Sequence, residues 1–333
     1  MAEQILDVKD LHVTFSTFGG TVKAVRGVNL TLNKGETVAV VGESGCGKSV
    51  TANAIMRLIP TPPGEISRGT IRFKDKEITA LSEKDMRGIR GVDISMIFQD
   101  PMTALNPTLT IGNQLMEGVM QHQKLPRSAA REKAIEMMNL VGIPNPEERI
   151  KQYPHQFSGG MRQRIVIAMA LICEPDLLIA DEPTTALDVT IQAQILELFN
   201  RIQEEMGVAI ILITHDLGVV AKIADRICVM YAGKVIESGT KRDIFYRPQH
   251  PYTKGLLKSV PRLDKQEEEL ESIDGTPPDL FSPPEGCPFV ARCPLAMEVC
   301  DKVYPHDTVI SESHGVNCWL QDERAKQLLA AGK

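Results

Sequence analysis

No stretch of this chain is apolar for long enough to cross a lipid bilayer. The longest such runs, for example IVIAMALIC (Ile165–Cys173), fall well short of the roughly 20 residues a spanning helix needs. The N-terminus, MAEQILDVKD, has no apolar h-region, so no export signal is expected. Positive charge is not in excess either. The formal net charge is −6, which gives no sign of a general polyanion binder. Aromatic residues make up only 5% of the chain, and there is no internal repeat. Together these absences describe a soluble protein whose link to any membrane must run through a partner. With no export signal, seven cysteines argue for reduced thiols or a metal site rather than structural disulfides.

What is present suffices for a sizeable core. Of 333 residues, 43% are hydrophobic, enough for one large domain or two moderate ones. Residues 1–40 read as short strands with turns: ILDVKDLHVTF alternates apolar and polar residues, and FGG breaks it. ETVAVV (Glu36–Val41) is a compact β-branched run of the kind buried strands show, and it leads through a Gly-rich loop into SVTANAIMRLI, a helical pattern. Residues of about 102–160 read as an inserted helical subdomain, with IGNQLMEGVMQH and SAAREKAIEMMNLVGI separated by KLPR. From 158 onward helix and buried strand alternate, which predicts a parallel, helix-covered sheet and an α/β fold. The pattern decays after about 250 into a charged linker, DKQEEELE (Asp264–Glu271), and a Pro-rich stretch, GTPPDLFSPPEG. A small cysteine-bearing tail follows.

GESGCGKS (Gly42–Ser49) has the spacing of a phosphate-binding loop, and it sits between a buried strand and a helix as that chemistry requires. Gly42, Gly45 and Gly47 let backbone N–H groups turn inward, around Glu43, Ser44 and Cys46. The following helix adds its positive end. Lys48 is placed to reach the β- and γ-phosphates, and Ser49 to ligate Mg²⁺. Cys46 has two readings, a redox switch or an ordinary variable loop position. LLIADEP (Leu177–Pro183) is an apolar strand ending in two carboxylates. Asp181 is suited to holding Mg²⁺ through water, and Glu182 to activating or positioning the attacking water. His215 follows another buried run, VAIILIT, and is a candidate γ-phosphate contact. In FSGGMRQR, Ser158 can cap a helix, while Gly159 and Gly160 leave room for an anion at its amides. This second phosphate-binding terminus lies about 110 residues from the first, which suggests that it serves a nucleotide held by a partner subunit.

These motifs, in this order, resemble the ATP-binding subunits of ABC transporters over roughly residues 5–255. The resemblance implies a P-loop NTPase core with an antiparallel N-terminal β portion. Gly42–Ser49 is similar to the Walker A loop, Gln99 to the Q-loop glutamine that reaches Mg²⁺, and Ser158–Gly160 to the signature motif. LLIADE is similar to Walker B, Ala186–Asp188 to the D-loop, and His215 to the switch histidine. Two signature positions depart from the common pattern, Phe157 for Leu and Met161 for Gln, without removing the glycines. The resemblance implies a head-to-tail dimer in which one subunit's Walker A and the other's signature enclose each ATP. Phe15 is the choice for stacking on adenine, with Phe18 as runner-up and an ordinary core role for Phe15 as the alternative.

DPMTALNP, YPHQFSGGMRQR, HPYTKGLL and GCPFVARCP further resemble the first of two ATPase subunits in bacterial dipeptide/oligopeptide importers, tail included. That implies an extension over 256–333, a second homologous ATPase, two membrane permeases and an extracytoplasmic peptide-binding protein. It places the chain at the cytoplasmic face of the membrane, with no nucleic acid as partner. Related solutes such as nickel remain an alternative cargo, and a soluble ATPase acting on nucleic acid or an ATP-dependent sensor an alternative class. Cys287, Cys293, Cys300 and Cys318, spaced C-x5-C-x6-C-x17-C, fit neither short zinc pairs nor the tight ferredoxin run. The resemblance favours a [4Fe–4S] cluster clamping the tail; zinc, and free thiols or labile disulfides, are the alternatives. Cys173 and Cys228 lie in apolar runs and are expected in the core.

Overall fold

The computed structural model describes residues 3–99, 101–185, 187–259 and 273–331. Ala186 and the linker Asp264–Glu271 therefore lie outside the described residues. The chain divides into two compact units. One comprises the residues up to Leu6, Leu32–Thr37 and Arg72–Thr214. The other comprises Asp7–Thr31, Val38–Ile71 and His215 onward.

The first unit is built on three parallel strands, Ile94–Ile97, Leu177–Asp181 and Ala209–Thr214, with Leu177–Asp181 in the middle. Register runs from Ile94 opposite Leu177, and from Leu177 opposite Ala209 to Asp181 opposite Ile213. Every residue of Leu177–Asp181 and Ala209–Thr214 is buried. This is why these strands read as continuous apolar runs rather than alternating ones: both faces are covered. The predicted helical insertion contains Ile111–His122, capped by Thr110, and Arg127–Leu140, and both pack on Gly159–Leu171. The 18-residue helix Val189–Met206 turns its apolar stripe, including Ile195, Leu198, Phe199 and Ile202, inward.

The second unit carries most of an N-terminal sheet in which Gln4–Thr17 lies between Gly20–Asn33 and Gly64–Phe73. Separately, Thr37–Val41 pairs in parallel with Arg226–Tyr231, from Val38 opposite Arg226 to Val41 opposite Val229. Lys234–Thr240 then pairs antiparallel with Arg226–Tyr231. The helix after the Gly-rich loop, Lys48–Ile55, is shorter than the sequence pattern suggests, because Arg57 turns left-handed at φ +50°.

The tail is more ordered than its composition suggests. Its strands Asp307–Ser311 and His314–Asn317 form a hairpin, and the latter pairs with Lys234–Thr240. Phe289, fully buried, sits against Tyr231 at 5.3 Å and Tyr252 at 5.4 Å between ring centroids. Burying such a ring contributes roughly 1.5–3 kcal/mol. Sheet addition and an apolar cluster hold the tail.

Candidate functional site

The candidate phosphate loop, Gly42–Ser49, spans the end of one element and the start of the next. Thr37–Val41 is buried throughout, so its carboxyl end is a rigid platform. Gly42, Gly45 and Gly47 all have positive φ, at +151°, +77° and +101°. At Gly42 a Cβ would lie 2.2 Å from the Met230 carbonyl oxygen, and at Gly47 2.6 Å from that of Ala24. Glycine is thus required there twice over, by dihedral and by space. Lys48 is buried and its Nζ donates to the carbonyls of Gly42 (2.8 Å) and Glu43 (2.9 Å), aligning the amine along the loop. Cys46 is buried too, and desolvation pushes its thiol up, with Lys48 opposing. A thiol held protonated is a poor nucleophile, so the ordinary structural reading of Cys46 is favoured over the redox one.

Residue 43 is held from outside the loop. Its backbone N–H donates to the Tyr252 hydroxyl at 3.0 Å, and its carboxylate accepts from Arg292 at 2.9 and 3.1 Å. Neither partner was visible as a site residue in the sequence, because both are far from the loop along the chain.

In the first unit the strand Leu177–Asp181 ends in Asp181, 5% exposed, and Glu182 at φ +48°. This left-handed turn bends the chain sharply, and the Glu182 N–H is satisfied by the Ile213 carbonyl at 2.9 Å. Gln99 Nε2 donates to the Glu182 carboxylate at 3.2 Å, and Thr185 Oγ1 donates to the same oxygen at 3.0 Å. Two candidates from motifs 83 residues apart are therefore in direct contact. Thr185 joins them unanticipated; a hydroxyl three residues past the carboxylate was the available signal.

Ser158 caps Gly159–Leu171, accepting from the Met161 N–H, and Asp188 caps Val189–Met206, accepting from the Ile191 N–H at 2.9 Å. The two signature glycines differ. A Cβ on Gly159 would meet nothing within 4 Å, whereas one on Gly160 would lie 2.8 Å from Ile191 Cγ2. Gly159 leaves approach space, and Gly160 lets two helices close on each other. Gln163, fully buried and unanticipated, donates to the Pro183 carbonyl at 2.7 Å and ties the signature helix to the turn after Glu182.

His215 is exposed and precedes Asp216, which caps Leu217–Ile223. Phe15 is half-buried, with its ring against Gly64. Phe18 is fully exposed in the turn between two strands.

Family models match twice: ABC transporter over residues 25–185, and oligopeptide/dipeptide transporter, C-terminal region, over 236–300. The chain is 68% identical to a Bacillus subtilis dipeptide transport ATP-binding protein over 99% of its own length and 98% of that protein. It is 54% identical to an oligopeptide transport ATP-binding protein of Salmonella typhimurium, over 91% and 90%. Among solved structures, a dimeric ATP-binding cassette in a post-hydrolysis state bound to ADP and Pi superposes with a TM-score of 0.64. It is 27% identical, over 71% of this chain and 99% of that one. The chain belongs to the ABC transporter family of ATPases.

As expected, the core of this ATPase buries Cys173 and Cys228. The four tail cysteines are a different matter. Burial pushes the Cys287 thiol up to about 11 and that of Cys318 to about 12, and Cys293 also rises by burial. Cys287, Cys293 and Cys300 each add to the rise at Cys318, so the thiols are electrostatic neighbours. They do not form a ligand set, however. Among the described residues no three His, Cys, Asp or Glu side chains group as a metal site. Cys287 and Cys300 belong to the apolar cluster around Phe289, and Cys287 N–H pairs with the Cys300 carbonyl. Among the described residues no helix is long and apolar enough to cross a membrane.

Proposed function

We propose that this ATPase binds and hydrolyses ATP to power import of di- and oligopeptides. In this reading residues 5–255 form the ATP-binding domain, and 256–333 form the extension typical of peptide importers. Its partners are a second homologous ATPase, membrane permeases and an extracytoplasmic binding protein, and it sits peripherally at the cytoplasmic face of the membrane. The family matches and the cargo in the relatives' names support peptides over nickel, and transport over a nucleic-acid or sensing role.

The observation that carries the catalytic part is Glu182, turned out beyond a buried strand end and held by Gln99. Catalysis of phosphoryl transfer is mostly positioning plus charge stabilisation. Glu182 orients and deprotonates the attacking water, and Gln99 and Thr185 fix its carboxylate. Lys48 and the amides of Gly42–Ser49 hold the β- and γ-phosphates. Ser49 in the second unit, and Gln99 and buried Asp181 in the first, each offer an oxygen of the kind Mg²⁺ takes, and the ion would offset charge on the phosphoryl oxygens. Ser158, Gly159, Gly160 and Asp188 face the partner's nucleotide, His215 contacts the γ-phosphate, and Phe15 stacks on adenine. In the assembled complex, Glu182→Gln is expected to keep ATP binding while abolishing hydrolysis and peptide uptake. Wild-type turnover by that variant would overturn the role of Glu182.

We also infer that Cys287, Cys293, Cys300 and Cys318 hold a [4Fe–4S] cluster, with zinc as the alternative. The support is their mutual electrostatic proximity; binding would require the thiols to turn toward one centre. Iron, acid-labile sulfide and zinc, assayed on protein purified without oxygen, decide it. A metal-free, folded and active protein would end this reading.

A further inference from the structure

The phosphate loop is gripped by the chain's own tail. Arg292 lies between Cys287 and Cys293, 249 residues beyond Glu43. Its side chain is only 6% exposed. Nη1 donates to both Glu43 carboxylate oxygens, at 2.9 and 3.1 Å, and to the Tyr231 hydroxyl at 3.1 Å. Nη2 donates to the Ile273 carbonyl at 2.9 Å, and Nε to that of Asp274 at 2.8 Å. The guanidinium also lies over the Tyr231 and Phe289 rings, at 5.8 and 5.9 Å from their centroids. Such a planar fork, paired on every nitrogen, fixes direction as well as charge.

Glu43 is equally constrained at the other end. Its amide donates to Tyr252, its carbonyl accepts from Lys48, and its carboxylate is taken by Arg292. Tail residues Pro277, Pro278 and Leu280 wall a cavity of about 30 Å³ together with Glu43, Ser44, Gly45 and Cys46. The loop Gly42–Ser49 contains three glycines at positive φ and is intrinsically soft. A loop whose amides must converge on phosphates binds more tightly if it is ordered beforehand.

We infer that Arg292 is a positioning residue for nucleotide binding, acting through Glu43 to hold the phosphate loop in shape, so that the C-terminal extension takes part in ATP affinity. This rests on the reading of Gly42–Ser49 as the phosphate loop. The tail is then more than an appendage: one of its side chains completes the support of the site. A residue that only braces the tail would act through Ile273 and Asp274, and Glu43 would be incidental to it.

The test measures ATP binding by the full-length chain, and KM and kcat in its complex, for Arg292→Ala, Arg292→Lys, Glu43→Gln and the Arg292→Ala/Glu43→Gln pair. Trp319, the single tryptophan, reports tail integrity by fluorescence. Arg292→Ala is expected to raise Kd and KM for ATP about tenfold, with a much smaller change in kcat. Arg292→Lys should recover part of this, since it keeps charge but loses the fork. Glu43→Gln should also weaken binding without altering Trp319, and the double variant should be little worse than Arg292→Ala. Should Arg292→Ala fail to fold, Glu43→Gln decides alone, because it leaves the bonds to Ile273 and Asp274 in place. Unchanged KM in folded Arg292→Ala or in Glu43→Gln, or effects that multiply in the pair, would overturn the inference. Lys48→Ala separates the two readings. If it binds ATP normally, the phosphate-loop reading itself fails. If it loses ATP while the Arg292 and Glu43 variants bind as wild type, only the inference fails.

Discussion

At the residue scale, chemically identical side chains do different work according to what surrounds them. Gly159 and Gly160 adjoin in the signature motif, yet only Gly160 faces a side chain at contact distance. Gly160→Ala is expected to destabilise by roughly 1–3 kcal/mol through overpacking against Ile191. Gly159→Ala should melt within about 0.5–1 kcal/mol of wild type, the usual helix-propensity range, and lose ATP turnover instead. Thermal melts and ATPase assays on both separate the two roles. His250 gives a pH prediction. Burial, and then Lys254, push its imidazole down from 6.5 to about 3, while Nδ1 accepts from the Tyr252 N–H. The folded state therefore keeps it neutral where the unfolded chain would bind a proton. Its contribution is intact above about pH 6.5 and lost as pH falls from there toward 3, at roughly 1.4 kcal/mol per unit. Denaturant melts across pH 4–7 on wild type and His250→Gln check this; the variant should show the shallower slope. Gln99, Asp181, Glu182 and Lys48 were legible in the sequence because their motifs are local. Gln163 was not, because its partner, the Pro183 carbonyl 20 residues away, is supplied only by folding, whereas Thr185, three residues past Glu182, had a local signal that went unread.

At the element scale, caps and packing decide which segments become rigid. Val189–Met206 begins at Asp188, whose carboxylate takes the Ile191 N–H. Asp188→Ala should cost about 0.5–2 kcal/mol in stability, read from a denaturant melt. In the proposed function the same residue faces a partner's nucleotide, so a loss of activity larger than the stability change would show both roles. The helical insertion and the alternating strands were readable because apolar periodicity records which faces are covered. The tail hairpin was not. Asp307–Ser311 and His314–Asn317 are short, the first is largely exposed, and the covered positions of the second are His314 and Val316, of which only the valine reads as apolar.

At the scale of the whole molecule, the second unit carries both the phosphate loop and the tail. The tail adds strands beside Lys234–Thr240, buries Phe289 against two tyrosines and pairs buried His314 with Glu237 at 2.8 Å. Truncation after Ser259 should therefore uncover Tyr231 and Tyr252 and leave Glu43 without Arg292. The truncated chain is expected to melt several degrees lower and to bind ATP more weakly than full-length protein. Calorimetry and nucleotide titration on the pair check this, and equal affinity would place the tail outside the site's support. The sequence by itself determined the α/β class and the family, and it named the candidate phosphate loop and strand-end carboxylates, since each is written in contiguous residues whose spacing is dictated by backbone geometry. Only the tertiary structure decided that Gln99 meets Glu182, that Gly160 is a packing residue, and that Arg292 reaches Glu43. Those contacts join residues far apart along the chain, and a side chain's partner there depends on where the whole fold brings it.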